Sequence, residues 1–146
     1  MRVVVKLERD AERAVSLEAI DRAVFPRGHL DVAAEMTRPF SLLFSATLEG
    51  RLVGYLLAWH AADELEIHDV ATLPEARRQG VGAALVRAAC GEALARGVAT
   101  VHLEVRRDNL PARALYGGVG FAENDVRRGY YEDGEDAVLM RRDLGA

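Results

Sequence analysis

Apolar residues recur along this chain in blocks whose spacing alternates between that of a strand and that of a helix. Val3–Leu7 reads as a short first strand. Asp10 is placed to cap a helix running to about Phe25, with Ala14, Val15, Leu17 and Ile20 as its apolar positions. Phe25-Pro26-Arg27-Gly28 breaks it. His29–Thr37 reads as a second, short helix ended by Arg38-Pro39. Ser41–Leu48 and Leu52–Ala61 are apolar strands around Glu49-Gly50, a hairpin signal. Leu65–Thr72 is the next strand, closed by Pro74, and Ala83–Arg96 is a helix stopped by Gly97. Thr100–Val105 alternates as a strand. Asn109 can cap a helix from Leu110 to about Val119, with Pro111 tolerated in the first turn. Phe121–Arg127 and Ala137–Arg142 form a final antiparallel pair around the loop Gly129–Glu135.

This order predicts an α/β chain with a single mixed, mostly antiparallel sheet of about seven strands and helices on both faces. The strand–turn–helix–strand from Leu65 to Val105 is a βαβ unit, so its two strands are expected to be parallel with a right-handed crossover. A length of 146 residues, half of them hydrophobic, suits one domain spanning 1–146 with its own core.

Composition narrows the function classes. The net charge of −4 gives no general case for nucleic acid. No apolar stretch approaches the roughly 18 residues of a membrane span, and the N-terminus lacks a signal-peptide pattern. The expected setting is therefore cytoplasmic. Cys90 is the only cysteine, lies in a helical run and reads as packing. The four histidines lack metal-ligand spacing, so no metal is expected.

The chemistry starts at Arg77-Arg78-Gln79-Gly80-Val81-Gly82, between a strand and a helix. A Gly-rich turn opening a helix gathers free backbone N–H groups at the positive end of the helix dipole, a site for phosphate. No Gly-Lys-Ser/Thr follows, so it is not a P-loop, and the third glycine of the dinucleotide fingerprint is missing. The turn does fit Arg/Gln-x-x-Gly-x-Gly/Ala. With Leu73-Pro74 before it and Leu103-Glu104-Val105, Asn109, Ala112, Leu115-Tyr116 and Gly120-Phe121 after it, the chain resembles the GNAT superfamily of N-acetyltransferases. The likeness is strongest to bacterial ribosomal-protein-alanine N-acetyltransferases, through that run, the basic-aromatic Arg127-Arg128-Gly129-Tyr130-Tyr131 and the strand around Ala137–Met140. It is strong from Val70 to Met140 and weak before, where Phe25-Pro26 is followed by Arg27-Gly28 in place of the usual tryptophan.

The resemblance implies a GNAT fold with splayed central parallel strands and acetyl-CoA as cosubstrate. Val70, Ala71 and Thr72 would pair their backbone with the pantetheine arm. Arg78, Gln79, Gly80, Val81, Gly82 and Ala83 would hold the pyrophosphate, and Asn109 would touch the pantetheine besides capping its helix. Glu104 would be the general base and Tyr116 the acid, although without the resemblance they read first as a solvated strand glutamate and a core tyrosine. Tyr130 and Tyr131 would meet the acceptor, and as residues they read equally as surface aromatics. His68 beside Asp69 is an alternative base pair, discounted here, and Trp59 is expected to pack the third strand. The acceptor expected is a protein N-terminus, such as that of a ribosomal protein beginning with Ala. An α-amine of pKa about 8 is roughly a tenth neutral at pH 7, whereas a lysine of about 10.4 is not, so a carboxylate base suffices. The alternatives are a small-molecule or antibiotic amine as acceptor, and a non-catalytic acyl-CoA-binding sensor.

Overall fold

The computed structural model describes residues 2–145. Seven strands form one sheet in the order β1-β2-β3-β4-β5-β7-β6. They are β1 (Val3–Leu7), β2 (Ser41–Leu48), β3 (Arg51–Ala61), β4 (Glu64–Thr72), β5 (Thr100–Arg106), β6 (Ala122–Arg127) and β7 (Ala137–Asp143). Every neighbouring pair is antiparallel except β4 with β5. The helices are α1 (Ala14–Val24), α2 (Val32–Thr37), α3 (Val81–Ala95) and α4 (Leu110–Gly118). This is the mixed, mostly antiparallel sheet expected from the sequence, and none of its helices is long and apolar enough to cross a membrane.

Local chemistry sets most boundaries. The β2–β3 loop is the pair Glu49-Gly50, both at positive φ (52° and 84°), which is the hairpin geometry matching strand twist. The Asn109 side chain accepts from the Ala112 N–H at 3.2 Å and starts α4.

Three helix starts differ from the sequence reading. Asp10 caps a separate 3-10 turn, Ala11–Arg13, through Glu12 N–H, and α1 begins only at Ala14. The second helix starts at Val32, with Asp31 as its cap, and not at His29. The reason lies in α1: Asp21 accepts from Leu30 N–H and Glu18 from Val32 N–H, both at 2.9 Å, so this stretch is tied back as a loop. The third helix begins at Val81, because Gly80 turns left-handed (φ 81°) immediately before it.

The sheet is covered on both faces. Leu65, Ile67, Val101 and Leu103 face Leu85, Val86 and Ala89 of α3, while Leu43, Tyr55 and Leu57 face Leu17 and Ile20 of α1. Cys90 is buried in the first of these layers, as expected, and burial pushes its thiol up. In the second, the fully buried Tyr55 hydroxyl donates to Asp21 at 2.7 Å.

Tyr55→Phe is expected to lower stability by about 1–3 kcal/mol, because a buried carboxylate oxygen loses its donor. Urea unfolding measures this, and a change within about 0.5 kcal/mol would contradict it. Burial raises the pKa of both Tyr55 and Tyr116. Phenols that hold their protons more tightly when folded contribute stability that is complete below the unfolded value near pH 10. That stability is lost as pH climbs beyond it, so alkaline unfolding should begin above about pH 10 and shift upward in Tyr55→Phe relative to the same variant's neutral-pH stability.

Candidate active site

The site begins with a break in the sheet. β4 and β5 pair only from Glu64↔Thr100 to Ile67↔Leu103. Just beyond, β4 carries a bulge: Leu57 faces Asp69 and Ala58 faces Ile67, leaving His68 as the extra residue. The bulge twists β4 away from β5, so the two strands splay. It also switches which side chains face α3. Leu65 and Ile67 do so before it, Val70 after it, and Ala71 turns to the α1 face.

Backbone direction follows. Leu73 N–H donates to Val53 at 2.9 Å, and the Ala71 carbonyl points at β3, where a Cβ on Gly54 would meet it at 2.6 Å. Residues 71 and 73 thus serve the β3 ladder, and Val70 and Thr72 turn their peptide groups toward the gap. Gly54 is a supporting position missed in the sequence reading. A lone glycine within an apolar strand was its signal.

A groove of about 730 Å³ runs from this gap along α3 and α4. Val70, Thr72, Arg78, Gly80, Val81, Gly82, Ala83, Asn109 and Tyr116 all line it. Ala71 and Gln79 do not: Ala71 is buried on the α1 side, and the Gln79 amide donates to the Glu75 carbonyl. At the groove's far end, the backbone N–H groups from Arg78 through Ala83 have no acceptor among the described residues, and the next, Ala84, donates to Gly80. Arg78 (φ 64°) and Gly80 (φ 81°) are both left-handed, which curls these donors inward at the α3 N-terminus. This cradle suits a diphosphate. Gly82 lies inside α3 and admits Leu115 of α4, whose Cδ1 would be 2.8 Å from an added Cβ.

A second depression of about 690 Å³ lies across the gap, on the α1-side face of the sheet. Glu104 and Tyr130 line it with Trp59, Glu66, His102 and Arg127. Arg127, quoted in the sequence reading but given no role, pairs with Glu104 at 3.3 Å. The Glu104 carboxylate beside the Tyr130 hydroxyl holds that phenol above its ordinary pKa. Tyr131 stacks under Arg106 (4.1 Å) and is raised by burial and then by Glu104. Trp59 borders this depression and donates to Glu35 at 2.9 Å.

Tyr116 joins the two sides. Its pKa is pushed up to about 12, first by burial, then by the charge of Asp69 and by Tyr131. The groove thus holds a half-buried, protonated phenol, while the Glu104 carboxylate lines the depression on the opposite face. Asp69 pairs not with its neighbour His68 but with His29, at 2.9 Å.

Comparison with known proteins agrees with this geometry. The model of the acetyltransferase (GNAT) family matches residues 6–121. The chain is 41% identical over 102 residues to the [ribosomal protein bS18]-alanine N-acetyltransferase of Escherichia coli, covering 68% of this chain and 69% of the relative. It is 37% identical over 144 residues to N-alpha-acetyltransferase RimI of Mycobacterium tuberculosis, covering 93% and 88%. The crystal structure of the Escherichia coli ribosomal-protein-S18-alanine N-acetyltransferase superposes with a TM-score of 0.87 at 30% identity, over 99% of this chain and 96% of that one. The splayed sheet, the cradle at α3 and these likenesses lead to one assignment: the chain belongs to the acetyltransferase (GNAT) family and is an acetyl-CoA-dependent acyltransferase.

Proposed function

We propose that this protein acetylates the α-amino group of a protein N-terminus, with an N-terminal alanine of a ribosomal protein as its acceptor. The observation that carries the reading is the splayed β4–β5 gap, with Tyr116 lining the groove on one side of it and Glu104 lining the depression on the other. The relatives' activities support the acceptor class. A cytoplasmic location goes with it, supported by the ribosomal acceptor of the bacterial relatives.

The groove fits the cosubstrate. The Val70 peptide and the Thr72 N–H offer strand-like hydrogen bonds to the amides of a pantetheine arm, with Asn109 on the opposite wall. The N–H run from Arg78 to Ala83 takes the pyrophosphate, and Arg77 and Arg78 add positive charge beside it. Bound acetyl-CoA supplies the thioester carbonyl that the amine attacks, forming the C–N bond, breaking the C–S bond and releasing a thiol.

Glu104 takes the proton from the incoming ammonium, directly or through one water, and Arg127 fixes its carboxylate toward the depression. Tyr116 donates a hydrogen bond to the departing sulfur and then its proton. A pKa near 12 keeps the phenol protonated wherever the amine is free. The dry gap that weakens the phenol as an acid also raises the basicity of a thiolate formed there, so the two stay matched. Tyr130 lines the depression that would take the acceptor chain, with Tyr131 packed edge-on against it.

Glu104→Gln and Tyr116→Phe should each cut turnover at least tenfold while acetyl-CoA affinity holds. Unchanged turnover in both would remove this mechanism. With pH, kcat/KM for an Ala-initiated peptide should rise as the amine loses its proton around pH 8. No falling limb from Tyr116 should follow below about pH 11, and a fall centred near pH 9–10 would contradict its raised pKa. Gly82→Asp should abolish acetyl-CoA binding in calorimetry, because its side chain would force Leu115 of α4 out of place along the groove and set a negative charge one turn from the cradle. Tight binding would show that the pyrophosphate lies elsewhere. A panel of Ala-initiated peptides, other N-termini, lysine peptides and aminoglycosides decides the acceptor: acetylation of small amines alone would refute the peptide reading.

A further inference from the structure

Four carboxylates are buried in this protein, those of Glu8, Asp21, Glu35 and Asp69. Three have both oxygens occupied. Glu8 accepts from Ser45 at one oxygen and from Asp10 N–H at the other. Asp21 accepts from Tyr55 and Leu30 N–H, and Glu35 from Ser41, Trp59 and Arg38. Asp69 differs. Its Oδ2 accepts from His29 Nε2–H at 2.9 Å, and Oδ1 has no hydrogen-bond partner among the described residues. Among the described residues no fully buried side-chain oxygen lacks a partner, so Oδ1 of this nine-tenths buried carboxylate reaches solvent. A single open acceptor on a mostly desolvated carboxylate suits a cationic donor.

The position of Asp69 says what that ligand is. The bulge at His68 sets Asp69 on the α1 side of the sheet, just past the last β4–β5 pair. On β5, Glu104 is the first residue past the same pair and faces the same side. The two acids therefore flank the point where the strands part. Tyr116 feels the charge of Asp69, so its phenol lies close by. His29, packed on Phe25 at the groove wall, holds Asp69 from behind. Each acid already has one cationic or donor partner, Arg127 for Glu104 and His29 for Asp69. What remains is one outward acceptor at the place an acceptor amine must reach.

We propose that Asp69 anchors the acceptor's α-ammonium: Oδ1 accepts a hydrogen bond from the N–H₃⁺ group and draws the nitrogen to the gap, with Glu104 opposite taking the proton. His29 is a positioning residue that holds the Asp69 carboxylate in this orientation. The inference rests on the N-terminal acceptor reading above. It predicts a site that recognises a primary ammonium by charge, and not merely by shape.

The test is peptide binding by calorimetry with CoA present, so that no acetyl transfer occurs. An Ala-initiated peptide is compared with its isostere bearing an α-hydroxyl in place of the ammonium. The wild type should bind the ammonium peptide about tenfold more tightly, the scale of one charge-assisted hydrogen bond in a partly desolvated site. Asp69→Asn, which keeps the shape and can still accept from His29, should bring that ratio close to one. His29→Gln, which leaves the carboxylate, should keep most of it. A purely structural Asp69 would weaken both peptides equally and leave the ratio as in the wild type, which would overturn the proposal. If Asp69→Asn does not fold, Asp69→Ser is measured in its place against the same ratio. Failure of the wild type to bind either peptide would instead refute the acceptor reading, and this inference with it.

Discussion

The parting of β4 and β5 is the constraint on which the rest of this structure depends. A sheet spends its backbone hydrogen bonds on neighbouring strands, and an interior strand left without a neighbour must find partners elsewhere. Here the bulge at His68 ends the pairing after Ile67↔Leu103. The Val70 peptide and the Thr72 N–H then lie along a gap that opens to both faces of the sheet, while the Thr72 carbonyl accepts from Arg77 Nε at 3.3 Å. The GNAT reaction needs this arrangement, because cosubstrate and acceptor have to reach one point from different sides.

Electrostatics divides the gap into two ends. The α3 N-terminus, with the unpaired N–H groups from Arg78 to Ala83, presents positive potential to the groove. Across the sheet, Glu104 and Asp69 present negative charge, each steadied by one basic side chain. On the proposed reading, an anionic diphosphate and a cationic amine would be drawn to opposite ends. Tyr116 stands between them half-buried, and that burial, with the charge of Asp69, holds its proton. The Gly54 and Gly82 positions let neighbouring backbone and side chains close around this line, since a Cβ at either would meet an atom within 3 Å.

Much of this was legible in the sequence, for identifiable reasons. The Glu49-Gly50 hairpin, the Asn109 cap and the Gly80-x-Gly82 turn rest on short-range chemistry that a few residues determine. The parallel β4–β5 pair followed from the intervening helix. The illegible parts depend on contacts distant in sequence. Nothing in Leu65–Thr72 marks His68 as a bulge, because a bulge is a register difference with β3 and not a residue type. The His29–Asp69 pair joins residues on a loop and a strand, and the obvious neighbour His68 proved to stack on Trp59 instead. His29 and Leu30 resembled a helix start until α1 supplied carboxylates for the loop's N–H groups. Ala71, grouped with Val70 and Thr72 from the motif, faces the other way because the strand pleat alternates.

The central claim is that the splayed strands and the α3 N-terminus form one continuous cosubstrate groove. Titration of the ¹⁵N-labelled protein with CoA tests it most directly, through amide chemical shifts. The account predicts that the largest shifts fall on Arg78 to Ala83, Val70 and Thr72, with Asn109 following and the Trp59–Glu66 face nearly unmoved. Shifts concentrated on the Trp59–Glu66 face, with the Arg78–Ala83 amides unmoved, would contradict it.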